Sequence, residues 1–388
     1  MTSNTSIVAF QGASEEMIAK ASIHLQQIFD ELKKDEPSLT VCPLIYFISG
    51  GSEQQAIMLL RHGTLNLLVA GSGNNAWAAA TEVKAYAMQH GFQAQLIAEY
   101  APDFKQQLVQ WMKVKTAFDR LSGQRLGVLG NVSDWLVASA PEEALLRKRF
   151  GIELVDLPLD TMPDYLHSAP DLQFQQCFAH NTIQPEALAS VSGFLKQAVA
   201  DHRLDALTLQ CFRLVKEKGV TACLPIALMN FNGIPAGCEG DLVSIAGIML
   251  LKELTGHIAW MANMVKVETD KILLAHCTVP LQYAKKTTIN SHFETQLSAA
   301  VEADLNFDTV TLFRMNQQLD QVFIATGKVV GTPKNPDACR TQIEVALPPQ
   351  ICKQLIDRPL GNHHLILPGD HRDLISKAVA TKGFEVIV

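Results

Sequence analysis

LNLLVAGSGNNAWAAA, residues 65–80, is an apolar run that stops at a glycine turn and resumes as an alanine-rich segment. A buried strand, a tight turn and a helix in that order form the repeating unit of a parallel, doubly wound sheet. The unit recurs on both sides. Upstream, Ser6–Phe10 is a short β-branched run, and Glu15–Lys33 places Met17, Ile18, Ile23, Leu25, Ile28 and Leu32 at helical spacing. Cys42–Ile48 reads as a buried strand ending at Gly50-Gly51-Ser52, with Glu53 in the first turn of the helix that follows. Downstream, Phe92–Ile97 is the next strand. Ala76 stands where a GxGxxG motif needs its third glycine, so GSGNNAW reads as a tight βα turn, with nucleotide binding as the alternative.

A second block of this kind begins at Arg125. RLGVLG is a strand, NVSD a turn, Ala140–Phe150 a helix and GIELVDLPL a strand; Ile183–Val199 is helical and Leu204–Cys211 is a strand. GNVSDW, residues 130–135, is a βα loop at the carboxyl end of a strand, where doubly wound folds bind ligands. After Gly256 the segments become short and alternating: IAWMANMVKVE, KILLAHCTV, TVTLFRMN, QVFIATGKVVG, TQIEVALP and HHLILPG. Separated by turn signals, they predict an antiparallel sheet or barrel, and HRDLISKAVATKGFEVIV returns to a helix and a last strand. The expected divisions are an α/β domain at 1–122, a second at 123–255 and a β domain at 256–388.

The chain has 388 residues, 48 % apolar and 18 % charged, enough for more than one core and against disorder. A net charge of −7 and dispersed basic residues argue against nucleic acid, whose phosphates need a basic face. The eight cysteines form no CxxC pair and read as reduced thiols of a cytoplasmic protein. The first residues, MTSNTSIVAFQGASEE, show no leader pattern, and no stretch of about 18 residues is uniformly apolar, so neither a signal peptide nor a membrane span is expected.

The chemistry concentrates in GIPAGCEGDL, residues 233–242, between the apolar runs Ala222–Met229 and Val243–Leu251. Asp241 stands just before a helical pattern, VSIAGIMLLKEL, and reads as its N-cap. Capping does not account for Glu239, and a second carboxylate at a buried turn needs a partner, for which a metal ion is suited. His363, His364 and His371 in GNHHLILPGDH could add a ligand, although neighbouring histidines on a strand point to opposite faces.

AGCEGDL (236–242), WMANMVKVETDKILLAHCTVP (260–280), SHFET (291–295) and GNHHLILPGD (361–370), in this order and spacing, resemble the L-fucose/L-arabinose isomerase family, and more closely its shorter L-fucose isomerase-like branch. The resemblance runs from about Arg125 to the end; before that it is one of architecture. It implies two Rossmann-like domains followed by a C-terminal β-barrel, and a divalent metal, usually Mn²⁺, that holds two neighbouring sugar oxygens during an aldose–ketose isomerisation through an enediolate. The implied ligands are Glu239, an acidic residue on the next strand, and His363, with His364 as second choice. The acidic position, 263 − 239 = 24 residues after Glu239, holds Asn263, which offers a carbonyl oxygen but no charge and no base.

The metal ligands so expected are Glu239, Asn263 and His363. Glu239, Asp241 and His276 are the expected catalytic groups, the last two as replacements for the missing acid. Asn263, Cys238 and Asn131 are the expected substrate contacts. The family's pattern also implies a homo-oligomer, a trimer or hexamer, in which loops such as Ser49–Gln55 or Gly71–Asn75 complete a neighbour's pocket. Asn263 keeps open two alternatives to a sugar isomerase: a non-catalytic sugar-binding or regulatory protein on the same scaffold, and a related enediolate reaction such as epimerisation.

Overall fold

The computed structural model describes residues 5–178 and 183–387; residues 1–4 and 388, at the ends of the first and last expected segments, lie outside this range. The chain divides into two compact units, Met1–Asp119 and Arg120–Val388.

The first unit is built on four parallel strands, β1 (Ser6–Val8), β2 (Leu44–Phe47), β3 (Asn66–Ala70) and β4 (Ala94–Ala98), adjacent in that order. Helices Glu15–Asp35, Glu53–Ile57 and Ala76–Gln89 make the crossovers. Ala76, Ala79, Ala80 and Val83 are fully buried in the same core as Phe47 and Leu68, small side chains that let the helix lie close to the sheet. The turn quoted at the outset holds both Asn74 and Asn75 in the left-handed region, φ 54° and 58°, which asparagine tolerates better than most residues.

In the second unit β5 (Arg125–Leu129), β6 (Glu153–Leu157), β7 (Ala206–Leu209) and β8 (Ala236–Cys238) form another parallel sheet, ordered β6-β5-β7-β8. The strand order reverses at β5, the switch point at whose carboxyl end open α/β sheets leave a crevice. The loop after β5 and the Glu239 turn after β8 both lie at that end.

The six segments marked out after Gly256 are the six staves of a closed antiparallel barrel. In sequence they are β9 (Trp260–Val267) and β10 (Lys271–His276), then, beyond the separate hairpin β11 (Ala284–Asn290) and β12 (Ala300–Leu305), β13 (Thr309–Met315), β14 (Gln321–Gly331), β15 (Thr341–Ala346) and β16 (His363–Pro368). Around the barrel the order is β13-β16-β9-β10-β15-β14, closed by β14 on β13, with β17 (Glu385–Ile387) added parallel to β14. The fold is therefore mixed α/β with parallel sheets and a C-terminal barrel, as expected. No described helix is long and apolar enough to cross a membrane.

Helix Leu242–Thr255 joins the two parts of the second unit. Its residues from Leu242 to Leu251 are all buried, and it packs on β7 and β8 on one side and on β9, β13 and β16 on the other. A helix apolar all round is a core helix. Close approach requires Gly247, where an added Cβ would lie 2.6 Å from Leu365 Cδ1 and 3.2 Å from Phe313 Cε1. Gly247→Val should cost about 1–3 kcal/mol by overpacking; a lowered urea midpoint with unchanged slope is the expected readout.

Candidate active and metal-binding site

Strand β8 delivers Cys238 to the sheet edge, and the chain then turns sharply at Glu239 and Gly240, φ 64° and 71°. A glutamate in the left-handed region is strained by about 1–2 kcal/mol and persists only where its surroundings enforce it. Here the loop after β5 and the end of β7 enforce it. The Ser133 amide donates to the Glu239 carbonyl at 2.9 Å and the Gly240 amide to Leu209 O at 3.1 Å. Gly240 also sits so tightly on this loop that a Cβ would come within 2.4 Å of Asn131 O and 2.7 Å of Val132 Cα. The Glu239 carboxylate is held by the Trp135 indole, which donates to Oε2 at 2.5 Å.

The other oxygen, Oε1, faces two imidazoles: His276 Nε2 at 3.8 Å and His363 Nε2 at 3.7 Å. The donor atoms of Glu239, His276 and His363 all lie within 4.8 Å of one another, and all three residues are buried. Donors about 2.1–2.2 Å from a shared divalent ion stand roughly 3–4.3 Å apart, a spacing these distances match. Each imidazole is oriented from behind: His276 Nδ1 is hydrogen-bonded to Thr278 Oγ1 at 2.9 Å, and His363 Nδ1 to Asp241 Oδ2 at 2.8 Å. His363 Nε2 is buried with no hydrogen-bond partner. A buried nitrogen left without a partner, with the ring's other nitrogen on a carboxylate, is how metal-ligating histidines are arranged. The residues present therefore fit a divalent ion.

Asp241 is the N-cap of helix Leu242–Thr255: Oδ1 accepts from the Ser244 amide at 2.7 Å, and Oδ2 from the Ser244 hydroxyl at 2.9 Å and Arg314 Nη1 at 3.2 Å. Arg314, 1 % exposed on β13, also bonds Ser139 Oγ at 2.8 Å and Ala138 O at 3.3 Å, tying barrel, helix and loop together. Burial opposes the charge on both acids. Arg314 and His363 nevertheless hold the Asp241 carboxyl well below the usual carboxylate range, and His276 and His363 do the same for Glu239. Burial works against the His363 cation, yet the two carboxylates raise it to about 9. The site is thus set up for positive charge.

The sequence-marked residues distribute as follows. Glu239, His276 and His363 converge. Asp241 stands behind His363 with its oxygens committed. His364 turns away: its Nδ1 bonds Asn362 O at 2.9 Å, its ring meets Phe323, and burial pushes it down to about 4. Asn263 is the cross-strand neighbour of His363; its Oδ1 accepts from Asn362 at 2.5 Å and its Nδ2 lies 3.9 Å from Cys339 Sγ. The Cys238 thiol is buried, and the neighbouring Cys211 thiol together with burial pushes its pKa far up. Asn131 is exposed and donates its amide to Gln210 Oε1 at 3.2 Å. His371 bonds Pro368 O at 2.9 Å and stays at the end of β16.

Trp135, Thr278 and Arg314 join the site without being among its sequence-marked residues. A lone arginine inside the apolar run TVTLFRMN was the available signal, because such a charge must find a partner.

No protein-family profile matches the sequence. The chain is similar to two sulfoquinovose isomerases, from Priestia aryabhattai and Priestia megaterium (strain ATCC 12872 / QMB1551), each 20 % identical over 268 residues, 63 % of this chain. The match spans 60 % of the length of each relative. Similarity thus reaches sugar isomerases and stops at that level.

Arg314→Met keeps the volume and removes the charge, leaving Asp241 buried without its main counter-charge. The expected loss is about 3–5 kcal/mol, measurable as a fall in the denaturation midpoint and larger than that for exposed arginines such as Arg358.

Proposed function

We propose that the protein is a metal-dependent sugar isomerase that interconverts an aldose and a ketose through an enediolate, in the manner of the L-fucose/L-arabinose isomerases. The observation that carries this reading is the buried, unpartnered His363 Nε2 facing Glu239 Oε1, with His276 Nε2 closing the triangle. The sulfoquinovose isomerase relatives support a sugar as substrate.

Glu239, His276 and His363 would hold the ion, His276 supplying an imidazole nitrogen as third donor in place of Asn263. When bound, a divalent ion such as Mn²⁺ polarises a carbonyl and steadies the negative charge that develops on its oxygen. The chain's own groups do the rest. Glu239 Oε2, kept in one orientation by the Trp135 indole, takes the proton from the hydroxyl-bearing carbon next to the carbonyl and returns it to the former carbonyl carbon, while the hydroxyl proton of the first carbon passes to the former carbonyl oxygen. Asp241 keeps His363 in the tautomer whose Nε2 is free, and Arg314 keeps Asp241 ionised. Trp135, half exposed and set edge-on against Phe212, offers an apolar face to the sugar's C–H bonds beside the reacting centre. Asn131, in the loop packed on Gly240, and Asn263, paired across the ladder with His363, would bind sugar hydroxyls. The three-domain division at 122 and 255 and a homo-oligomeric assembly belong to the same proposal.

The test is to assay sulfoquinovose, L-fucose and L-arabinose for interconversion, with metal analysis, in wild type and Glu239→Gln. The expected outcome is turnover of at least one sugar that is lost to chelator and restored by Mn²⁺. Glu239→Gln should lower it by about 10²–10⁴-fold and lose the ion. Full activity in chelated protein or in the variant overturns the reading. Reproducible sugar binding without turnover would favour the binding-protein alternative to which Asn263 points. Trp135→Phe keeps an aromatic face but removes the hydrogen bond to a charged oxygen, about 1.5–3 kcal/mol; kcat/KM should fall by roughly ten- to a hundredfold.

A further inference from the structure

Beside the Glu239 group, three more donors converge: the thiols of Cys277 and Cys339 and the carboxylate of Glu294, with ligand atoms all within 4.8 Å of one another. Cys277 directly follows His276, the last residue of β10, so adjacent residues of the chain belong to different clusters. Cys339 stands two residues before β15, and Glu294 lies in the SHFET turn between β11 and β12. Both cysteines are buried and free, not joined as a disulfide. Cys339 Sγ donates to Glu294 Oε1 at 3.3 Å, and Glu294 Oε2 is 3.1 Å from Nε2 of the buried His292, which orients the carboxylate. Arg340, next to Cys339, clamps the SHFET turn through Ser291 O at 2.8 Å and Ser291 Oγ at 3.1 Å. The three donors thus come from segments already tied together, and the 38 % exposed Glu294 side chain leaves a route from solvent.

We propose that Cys277, Cys339 and Glu294 form a second metal site, separate from the Glu239 group, that takes a thiophilic divalent cation of the Zn²⁺ type. Two thiolates and a carboxylate are a three-ligand tetrahedral set with one position open to water. Soft sulfur selects Zn²⁺ over Mn²⁺ or Mg²⁺ more sharply than the imidazole and carboxylate donors of the Glu239 group do. Binding converts both thiols to thiolates and releases two protons to solvent. The inference does not rest on the isomerase reading.

Co²⁺ is the probe, because only thiolate ligation gives an intense sulfur-to-cobalt charge-transfer absorption in the near ultraviolet. The full chain is titrated with Co²⁺ in the presence of a phosphine reductant, as wild type, Glu239→Gln, Cys339→Ser and Glu294→Gln. The band is expected to saturate at about one to two equivalents in wild type, where both groups take Co²⁺, and at about one in Glu239→Gln, to disappear on adding Zn²⁺ and to vanish in Cys339→Ser. Glu294→Gln, at an exposed position where folding is not at stake, should weaken Co²⁺ binding by at least about tenfold. No band in wild type, a band undiminished in Cys339→Ser, or an unchanged midpoint in Glu294→Gln overturns the proposal. Loss of metal-dependent turnover in Glu239→Gln with this band intact would separate the fates of the two sites.

Discussion

A single buried aspartate organises the second unit. Asp241 caps the core helix, accepts from Arg314 on the barrel and holds His363 in place, all through two oxygens that water does not reach. Such a group is stable only when every lone pair is used and its charge is matched. Loop, helix and barrel strand must therefore arrive together. Arg314 reaches the 138–139 backbone and side chain as well, so the segment that supports the Glu239 turn is anchored to the same charge. The position of His363 follows from this arrangement and adds little constraint of its own.

The fold was largely legible because its elements carry strong local patterns. All six barrel strands stand out as short alternating runs, and the strand–turn–helix units of both sheets show as apolar runs punctuated by glycine. Asp241 could be read as a cap from its place before a helical run. Helix Cys223–Phe231 was visible only as an apolar segment: Pro225 sits in its first turn, where proline is tolerated, and its buried faces leave no amphipathic period. The β11–β12 hairpin was not marked, because its residues Ala284–Asn290 are mostly exposed and polar.

The site was legible by residue type more than by role. Glu239 and His363 declare themselves through the resemblance and the buried setting. That His276 would meet them, and that Asn263 would sit across the ladder from His363 with its amide engaged by Asn362, depends on strand register, which no local pattern encodes. Trp135 belongs to a loop 104 residues away from Glu239 in the chain, and only the switch-point topology brings them together. Contacts of that span are the ones that single-sequence reasoning cannot supply.

The left-handed backbone at Glu239 has one further consequence. Glycine or asparagine would sit at φ 64° with less strain, so the scaffold on its own favours a residue without the carboxylate. Chemistry and backbone ease pull against each other at this one position. A selection for thermal stability alone should discard the glutamate readily, whereas under the proposed function a selection for turnover should hold on to it and seek stability elsewhere.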